Sequence, residues 1–477
     1  MSNTYAPTGA GDRKDYDLAV IGAGSAGFSA AITAAELGVQ VALIGEGTIG
    51  GTCVNVGCVP SKTLIRAAEA LHHSRAASRF AGIAGDAKLN DWSELVAQKD
   101  ALVGDLRQAK YIDVLPEYNN VAYLAGGARL IEGGVAINGT KIAANKVIIT
   151  TGSSPSIPPI VGIENVPYLI STTALELKTL PRSMIIIGAG YIGCELAQMF
   201  ARVGVQVTLL CRSRVLPGSE PEIGEALAGF LRAEGIDVRE SIAYRSARKS
   251  DKGIALDVED HGARATIEAS TLLVTAGRHP NIKGLGLGEA GVETTANNGI
   301  KIDDRMRTSV PGIYAAGDVT GRDEFVYMAA YGARIAVENA LNGDGRAYDA
   351  SAMPAVIFTD PQVASVGLTE AEATTQGFNV KTSVLPLEHV PRALAARDTR
   401  GLIKLVADAA SDRLLGAHII APEGADSIQT AAIAIKCGMT TTALAQTIFP
   451  YLTTVEGLKL AAQTFDKDVT KLSCCAG

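Results

Sequence analysis

Cys53 and Cys58 stand with four residues between them in GGTCVNVGCVPSK, and the chain closes on KLSCCAG, where Cys474 adjoins Cys475. Thiolates are nucleophiles, two-electron redox groups and soft metal ligands, so two such pairs can store electrons, hold a thiophilic cation, or both. Pro60 suits the first turn of a helix beginning near Cys58, where the positive end of the helix dipole and nearby Lys62 favour thiolate over thiol. Adjacent cysteines join directly only in a strained small ring, which leaves Cys474 and Cys475 as a pair of soft ligands. By that softness argument a large cation content with two sulfurs, Hg(II), fits best, and all four thiols are candidate metal ligands. The blander alternatives are two buried structural cysteines at 53 and 58 and a frayed terminus with incidental thiols. Cys194, Cys211 and Cys437 lie in apolar or strand contexts and read as buried small hydrophobes.

The elements that would position this chemistry form an internal repeat. DLAVIGAGSAGF reads as an apolar strand, a glycine turn and a small-residue helix, with Gly22, Gly24 and Gly27 spaced as G-x-G-x-x-G. The same organisation returns in SMIIIGAGYIGC, with Gly188, Gly190 and Gly193, each 166 positions later. The first glycine makes the tight turn, the second lets backbone approach a pyrophosphate, and the third lets helix pack on strand. One such motif is weak evidence, but two in register, each between strands, point to two dinucleotides. The second strand of the first unit ends at Glu46, whose carboxylate suits a ribose diol. The equivalent position in the second unit is Arg212, with Arg214 two further on, and these cations suit a 2′-phosphate. FAD is expected in the first unit and NADPH in the second; the alternative for the two arginines is a solvated turn.

At about 150 residues per domain, 477 residues suggest roughly three domains. With 47% hydrophobic and 19% charged residues the chain can bury a real core, which excludes disorder. A net charge of -7 without a long basic run argues against nucleic acid. Abundant glycine with only 5% aromatics favours close-packed α/β units over an aromatic-rich sandwich. The polar start over residues 1–14 reads as a flexible leader and not a signal peptide, and no stretch approaches the ~18–20 apolar residues of a membrane span. Seven unevenly clustered cysteines do not form a secreted disulfide framework, so a soluble cytoplasmic protein is expected.

GGTCVNVGCVPSK resembles the signature of the FAD-dependent pyridine nucleotide-disulfide oxidoreductases, and the resemblance spans nearly the whole chain. VIITTGSSP, with Gly152, is similar to the family segment that leaves the flavin domain, and VTAGRHPN, with Gly277, to the one that returns. TSVPGIYAAGDVT resembles the second flavin motif, whose Asp318 would bind the ribityl chain, and Thr52 would join the flavin site. FTDPQVASVGLTEAEA resembles the start of a C-terminal interface domain. The resemblance implies an α/β protein with two Rossmann-like nucleotide-binding domains and an α+β C-terminal dimerisation domain, assembled as a homodimer. The expected boundaries are 15–155 and 276–348 for flavin, 156–275 for NADPH and 349–477 for the dimer interface. It also implies that Lys62 and Glu195 pair beside the flavin, that the Tyr191 ring gates nicotinamide, and that Cys53 and Cys58 cycle between disulfide and dithiol, with Cys58 nearer the flavin.

The departures from the family pattern bear on the substrate. Members acting on thiols carry His-Pro-Thr-x-x-Glu near the C-terminus, whose His handles the leaving thiol's proton. Here the stretch is FPYLTTVE: Glu456 matches, but Tyr451 stands at the His position, and none of the six histidines falls in the motif. A phenol of ordinary pKa about 10 does not easily shuttle protons at neutral pH. The missing His and the Cys-Cys tail together most resemble the mercury-reducing branch. That implies reduction of thiol-bound Hg(II) to Hg(0), with Cys474 and Cys475 of the partner subunit handing the metal to Cys53 and Cys58. Tyr111 and Tyr451 are candidate phenolic ligands or proton donors, with packed side chains as the alternative. Two rival functions remain: a thiol-disulfide reductase of glutathione or lipoamide type, and a flavoprotein that only sequesters soft ions.

Overall fold

The strand Tyr16–Ile21, the helix Ser25–Glu36 and the strand Val41–Gly45 follow one another around the first glycine turn, as the sequence pattern requires. Every residue of Val41–Gly45 is buried, as in a parallel strand covered on both faces. The computed structural model describes residues 16–469. They fall into two compact units, the first built from residues up to 61, 94–156 and 277–349, the second from 62–93, 157–276 and 350 onward.

In the first unit Val121–Ala125, Val41–Gly45, Tyr16–Ile21 and Thr140–Ile149 lie side by side in parallel, with Ile313–Ala315 also parallel to Thr140–Ile149. Gly134–Ile137 and Ala128–Ile131 extend the sheet antiparallel. Strand alternation splits the core: Leu18 and Val20 pack with Phe28, Ala30, Ala333 and Val337 on one face. Ala19 and Ile21 pack with Ile149, Leu285 and Val319 on the other. Ser153–Pro155 and Arg278–Pro280 pair antiparallel where the chain leaves this unit and re-enters it.

The second unit repeats the plan. Asp237–Arg239, Gln206–Leu210, Ser183–Ile187, Thr271–Val274 and Leu169–Ile170 form a parallel sheet. Its central strand is a continuous buried apolar run from Met184 to Ile187. Three antiparallel strands, Ile242–Ser250, Gly253–Asp260 and Ala263–Ala269, form a separate small sheet. From residue 355 onward a five-stranded antiparallel sheet packs on the helices Gly424–Lys436 and Glu456–Gln463, burying Leu405, Ile419, Ile428 and Leu458. The architecture is therefore the expected one: two Rossmann-like α/β folds and an α+β C-terminal domain.

Candidate active site

Both glycine turns share the same first and third positions. Gly22 and Gly188 hold φ of 119° and 107°, the left-handed half of backbone space. A Cβ on Gly27 would fall 1.7 Å from the Gly22 carbonyl oxygen, and one on Gly193 would fall 1.8 Å from that of Gly188, so no larger residue lets the helix start there. Thr150 Oγ1 donates to the carbonyls of Ile21 (3.0 Å) and Gly22 (3.1 Å), and Thr275 Oγ1 donates to those of Ile187 (3.0 Å) and Gly188 (2.9 Å). These two threonines escaped the sequence reading; the signal was the shared Thr-x-Gly that ends VIITTG and LLVTAG. A Cβ on Gly190 would meet nothing within 4 Å, so the second turn faces open space at the N-terminus of Tyr191–Arg202, a place where backbone N–H groups can receive an anion.

Glu46 and Asp318 are the carboxylates assigned to the first nucleotide. Glu46 is exposed just beyond the strand Val41–Gly45 and stands against Gly127, where an added Cβ would come within 3.2 Å of its oxygen. Asp318 opens a 3-10 turn, and Ser153 Oγ donates to its Oδ2 at 2.6 Å. Arg278 holds that serine in turn, its Nε donating to Oγ at 2.7 Å and its Nη2 to the Ser153 carbonyl at 2.6 Å. Gly152 and Gly277 hold left-handed φ of 70° and 106° on the leaving and returning segments.

Thr52 and Cys53 sit in a short helix, Gly51–Val56, and Cys58 is the first residue of the helix Cys58–Arg75, with Pro60 in its first turn. Both thiols are half-buried. The short helix is pressed onto the first glycine turn: a Cβ on Gly51 would lie 2.6 Å from the Gly24 Cα. Asn55 Nδ2 ties it by donating to the carbonyls of Ile49 (2.9 Å) and Gly51 (2.8 Å), while Arg107 donates to Asn55 Oδ1 at 3.1 Å. Tyr111 stands in a π-helical turn, Gln108–Ile112, its ring edge-on to Phe28 at 4.8 Å and its hydroxyl 3.4 Å from Ser25 Oγ. Burial pushes its phenol above the ordinary value; the Ser25 hydrogen bond pulls it back, and the charges of Cys53 and Cys58 push it further up. Tyr111 thus lies within electrostatic reach of both cysteines.

In the second unit Lys62 Nζ is 2.7 Å from Oε2 of buried Glu195 and 4.9 Å above the Phe358 ring. Tyr191 opens its helix and is 39% exposed. The two arginines after Gln206–Leu210 differ. Arg212 is exposed. Arg214 Nη2 donates to the carbonyls of Pro217 (3.0 Å) and Ser219 (2.5 Å), and its Nη1 is buried with no acceptor among the described residues. Arg214 is committed to its own loop, which leaves Arg212 as the outward cation. The glycine turns, the carboxylates and Arg212 fit two dinucleotides, the second carrying a 2′-phosphate.

Tyr451 is 52% exposed, and buried Glu456 accepts from the Leu452 N–H at 3.1 Å. Cys474 and Cys475 lie outside the described residues. Cys194 and Cys211 are buried as expected, and burial pushes the Cys211 thiol up to about 11. Cys437 corrects the reading: it is exposed, because it caps the helix Gly424–Lys436 one turn past Ile433, which is itself 57% exposed on the outer face.

Residues 16–334 match the family described as pyridine nucleotide-disulphide oxidoreductase, and residues 353–462 match its dimerisation domain. The chain is 48% identical over 465 residues to a mercuric reductase of Lysinibacillus sphaericus, covering 97% of this chain and 85% of that protein. It is 47% identical over 471 residues to one of Streptomyces lividans, covering 97% and 98%. Among solved structures it is similar to the Cu(II) complex of the HOCl-induced flavoprotein disulfide reductase RclA from Escherichia coli. That structure has a TM-score of 0.83 and 30% identity over 94% of this chain and 99% of that one. LpdA from Mycobacterium tuberculosis gives a TM-score of 0.82 at 26% identity, with the same coverage.

Proposed function

Because the chain belongs to the pyridine nucleotide-disulphide oxidoreductase family and resembles mercuric reductases over nearly its whole length, we infer that it reduces Hg(II) to Hg(0) with NADPH through FAD. The observation that carries this is the 48% identity over 465 residues to the Lysinibacillus sphaericus enzyme. FAD and NADPH, when bound, supply the two electrons, NADPH leaving as NADP⁺ and a proton for each Hg(0) formed. The glycine turns at 22–27 and 188–193 cradle the pyrophosphates, Glu46 accepts from a ribose diol, Asp318 anchors the ribityl chain and Arg212 takes the 2′-phosphate. Lys62 and Glu195 form the ion pair assigned to the flavin edge, and Tyr191 is the ring assigned to the nicotinamide.

Cys53 and Cys58 are the thiolates that hold Hg(II) while it is reduced, as a soft cation with two sulfur ligands demands. Cys474 and Cys475 hand it to them by thiolate exchange, a step that needs no strong acid or base and so tolerates Tyr451 in place of His. Tyr111 keeps its proton and donates a hydrogen bond at the dithiol, a role supported by its place beside Ser25 and within the field of both cysteines. In this reading Hg(II) arrives as a thiol complex and the protein works as a cytoplasmic homodimer. The match of 353–462 to a dimerisation domain supports the dimer. Among the described residues no helix is long and apolar enough to cross a membrane.

The test is anaerobic NADPH oxidation by the FAD-loaded chain with Hg(II) and excess small thiol, trapping volatile mercury. Mercury vapour in step with NADPH loss, abolished by Cys53→Ala and slowed by joint replacement of Cys474 and Cys475 with alanine, is expected. Turnover of glutathione or lipoamide disulfide with no mercury vapour would reject the reading.

A further inference from the structure

The loop 211–220 joins the strand Gln206–Leu210 to the helix Pro221–Ala233 and carries Arg212. Its contacts bear on the second glycine turn. The Leu216 N–H donates to the carbonyl of Ala189, inside the glycine motif, at 2.9 Å. Leu216 does this at 1% exposure and at φ 48°, a left-handed conformation that a residue other than glycine keeps only where its surroundings impose it. The helix that follows presses on the same loop. A Cβ on Gly224 would fall 2.5 Å from the Val215 carbonyl oxygen and 2.8 Å from Arg214 Nη1. The place of the first helical turn therefore sets the place of the loop.

That turn is held from the C-terminal domain. Lys404, on the strand Leu402–Asp408, is 1% exposed. Its Nζ donates to Glu220 Oε2 at 2.9 Å, to Glu222 Oε1 at 2.9 Å and to Glu370 Oε2 at 2.8 Å. An ammonium has three protons, and here each has its own carboxylate. Glu220 and Glu222 stand at the start of the helix Pro221–Ala233, whereas Glu370 opens the helix Glu370–Thr375 of the C-terminal domain. Glu220 is 2% exposed, and its Oε1 accepts the Glu370 N–H at 2.6 Å. Burial alone would lower the Lys404 ammonium, but the bonds to Glu370, Glu222 and Glu220 outweigh it and hold the group above its ordinary value. His418 lies opposite Lys404 on the neighbouring strand, its Nε2 3.1 Å from the Leu368 carbonyl, and burial holds it below its ordinary value. Lys404 is thus the cation on which the three acids converge.

A buried ion cluster adds little net stability, because taking the charges out of water costs about as much as their attraction returns. Its best-attested use is to fix one register. The register fixed here is that of the helix start against the loop. We propose that Lys404 is a positioning residue for the NADPH site: through Glu220 and Glu222 it holds the 211–220 loop, and with it Arg212, against the Gly188 turn. The proposal rests on the NADPH reading above and adds to it a dependence of nucleotide affinity on the C-terminal domain.

The test is calorimetric titration of the FAD-loaded full chain with NADP⁺ and with NAD⁺, beside steady-state kinetics with NADPH. Glu220→Gln keeps an acceptor for the Glu370 N–H but turns an amide donor toward Lys404, which breaks the connection while leaving Lys404 two carboxylates. It should weaken NADP⁺ about fivefold or more, as for a residue coupled to a ligand it does not touch, and raise KM for NADPH by the same factor with kcat within about twofold. Lys404→Met should weaken NADP⁺ at least as much, and the double variant no more than Lys404→Met alone, since both changes break one connection. If Lys404→Met fails to fold, Glu220→Gln alone decides. A lower melting temperature with NADP⁺ affinity within about twofold of wild type would show a purely structural cluster and overturn the proposal. Wild-type protein that binds NAD⁺ more tightly than NADP⁺ would instead reject the donor reading, and the role of Lys404 is then judged by the same loss measured with NAD⁺.

Discussion

Nζ of Lys62 lies 2.7 Å from Oε2 of Glu195, whose other oxygen accepts the Phe358 N–H at 2.9 Å. Glu195 is 5% exposed while Lys62 keeps a third of its side chain in solvent, so the acid depends on this cation more than the cation depends on it. Lys62→Met strands a buried carboxylate and should cost about 1–3 kcal/mol. Glu195→Gln retains an acceptor for Phe358 and should cost less. Thermal melts of the two variants decide this, and equal melting of Lys62→Met and wild type would contradict it. Both variants should also slow flavin reduction by NADPH in stopped flow, as the assigned place of the pair requires.

The two arginines after the second glycine motif should separate cleanly. Arg212→Ala is expected to raise KM for NADPH about tenfold or more while leaving KM for NADH within about twofold, since one charge-assisted contact to a 2′-phosphate is worth about 1.5–3 kcal/mol. Arg214→Ala frees the carbonyls of Pro217 and Ser219 and should lower the melting temperature and weaken both donors together. Steady-state kinetics with each donor check both statements. A selective loss of NADPH in Arg214→Ala would reverse the assignment.

What the sequence disclosed, and what it hid, follows from where the partners lie along the chain. Gly22, Gly27, Gly188 and Gly193 were legible because the turn makes local demands that only glycine meets. Cys58 at a helix start was legible through Pro60 for the same reason. The closing threonines, 150 and 275, lie over eighty residues from the turns they secure, and only the repeated Thr-x-Gly gave a trace of them. The cluster around Asp360 draws His73, Arg202 and Arg400 from three distant segments, and no spacing rule encodes it. Cys437 misled because an apolar context in sequence does not say which face of a helix is covered.

Thiol accessibility should follow burial. Cys194 is fully buried and burial pushes its thiol far up, while Cys211 is pushed up to about 11. Neither should react with a maleimide in the native FAD-loaded protein at neutral pH, whereas exposed Cys437 should. Peptide mapping after brief labelling checks this; native labelling of Cys194 before Cys437 would contradict the packing.

Asp360 gives stability a defined pH dependence. Burial alone would raise its carboxyl, but the His73 hydrogen bond and the charges of Arg202 and Arg400 outweigh burial and hold it well below the carboxylate range. The Asp360 bond holds His73 above its ordinary value. A depressed acid contributes stability above its unfolded value, about 4, and loses it as pH falls further; a raised histidine contributes below about 6.5 and loses it as pH rises through its folded value. Both act together between about pH 4 and 6.5. Asp360→Asn should therefore cost about 3–5 kcal/mol, with the penalty a few tenths larger at about pH 5.5 than at pH 8.5 because His73 is half-exposed and screened. Denaturant melts at the two pH values check the sign, and a larger penalty at the higher pH would refute the role given to His73.

Tyr111 offers the sharpest test of proton handling at the dithiol. Its phenol is pushed above the ordinary value of about 10 by burial, with the charges of Cys53 and Cys58 pushing the same way against the Ser25 hydrogen bond. In the role proposed above it stays protonated across the working range and acts as a donor, not as a phenolate ligand. Tyr111→Phe should slow mercury release about tenfold, roughly 1.4 kcal/mol of barrier, by a factor that stays constant from about pH 6 to 9. Ser25→Ala removes the one contact that lowers the phenol, so it should leave that constancy intact while loosening the ring against Phe28. If a phenolate were the working species, the wild-type rate would climb relative to Tyr111→Phe as pH approached 10, and the ratio of the two pH–rate profiles for trapped Hg(0) distinguishes the cases.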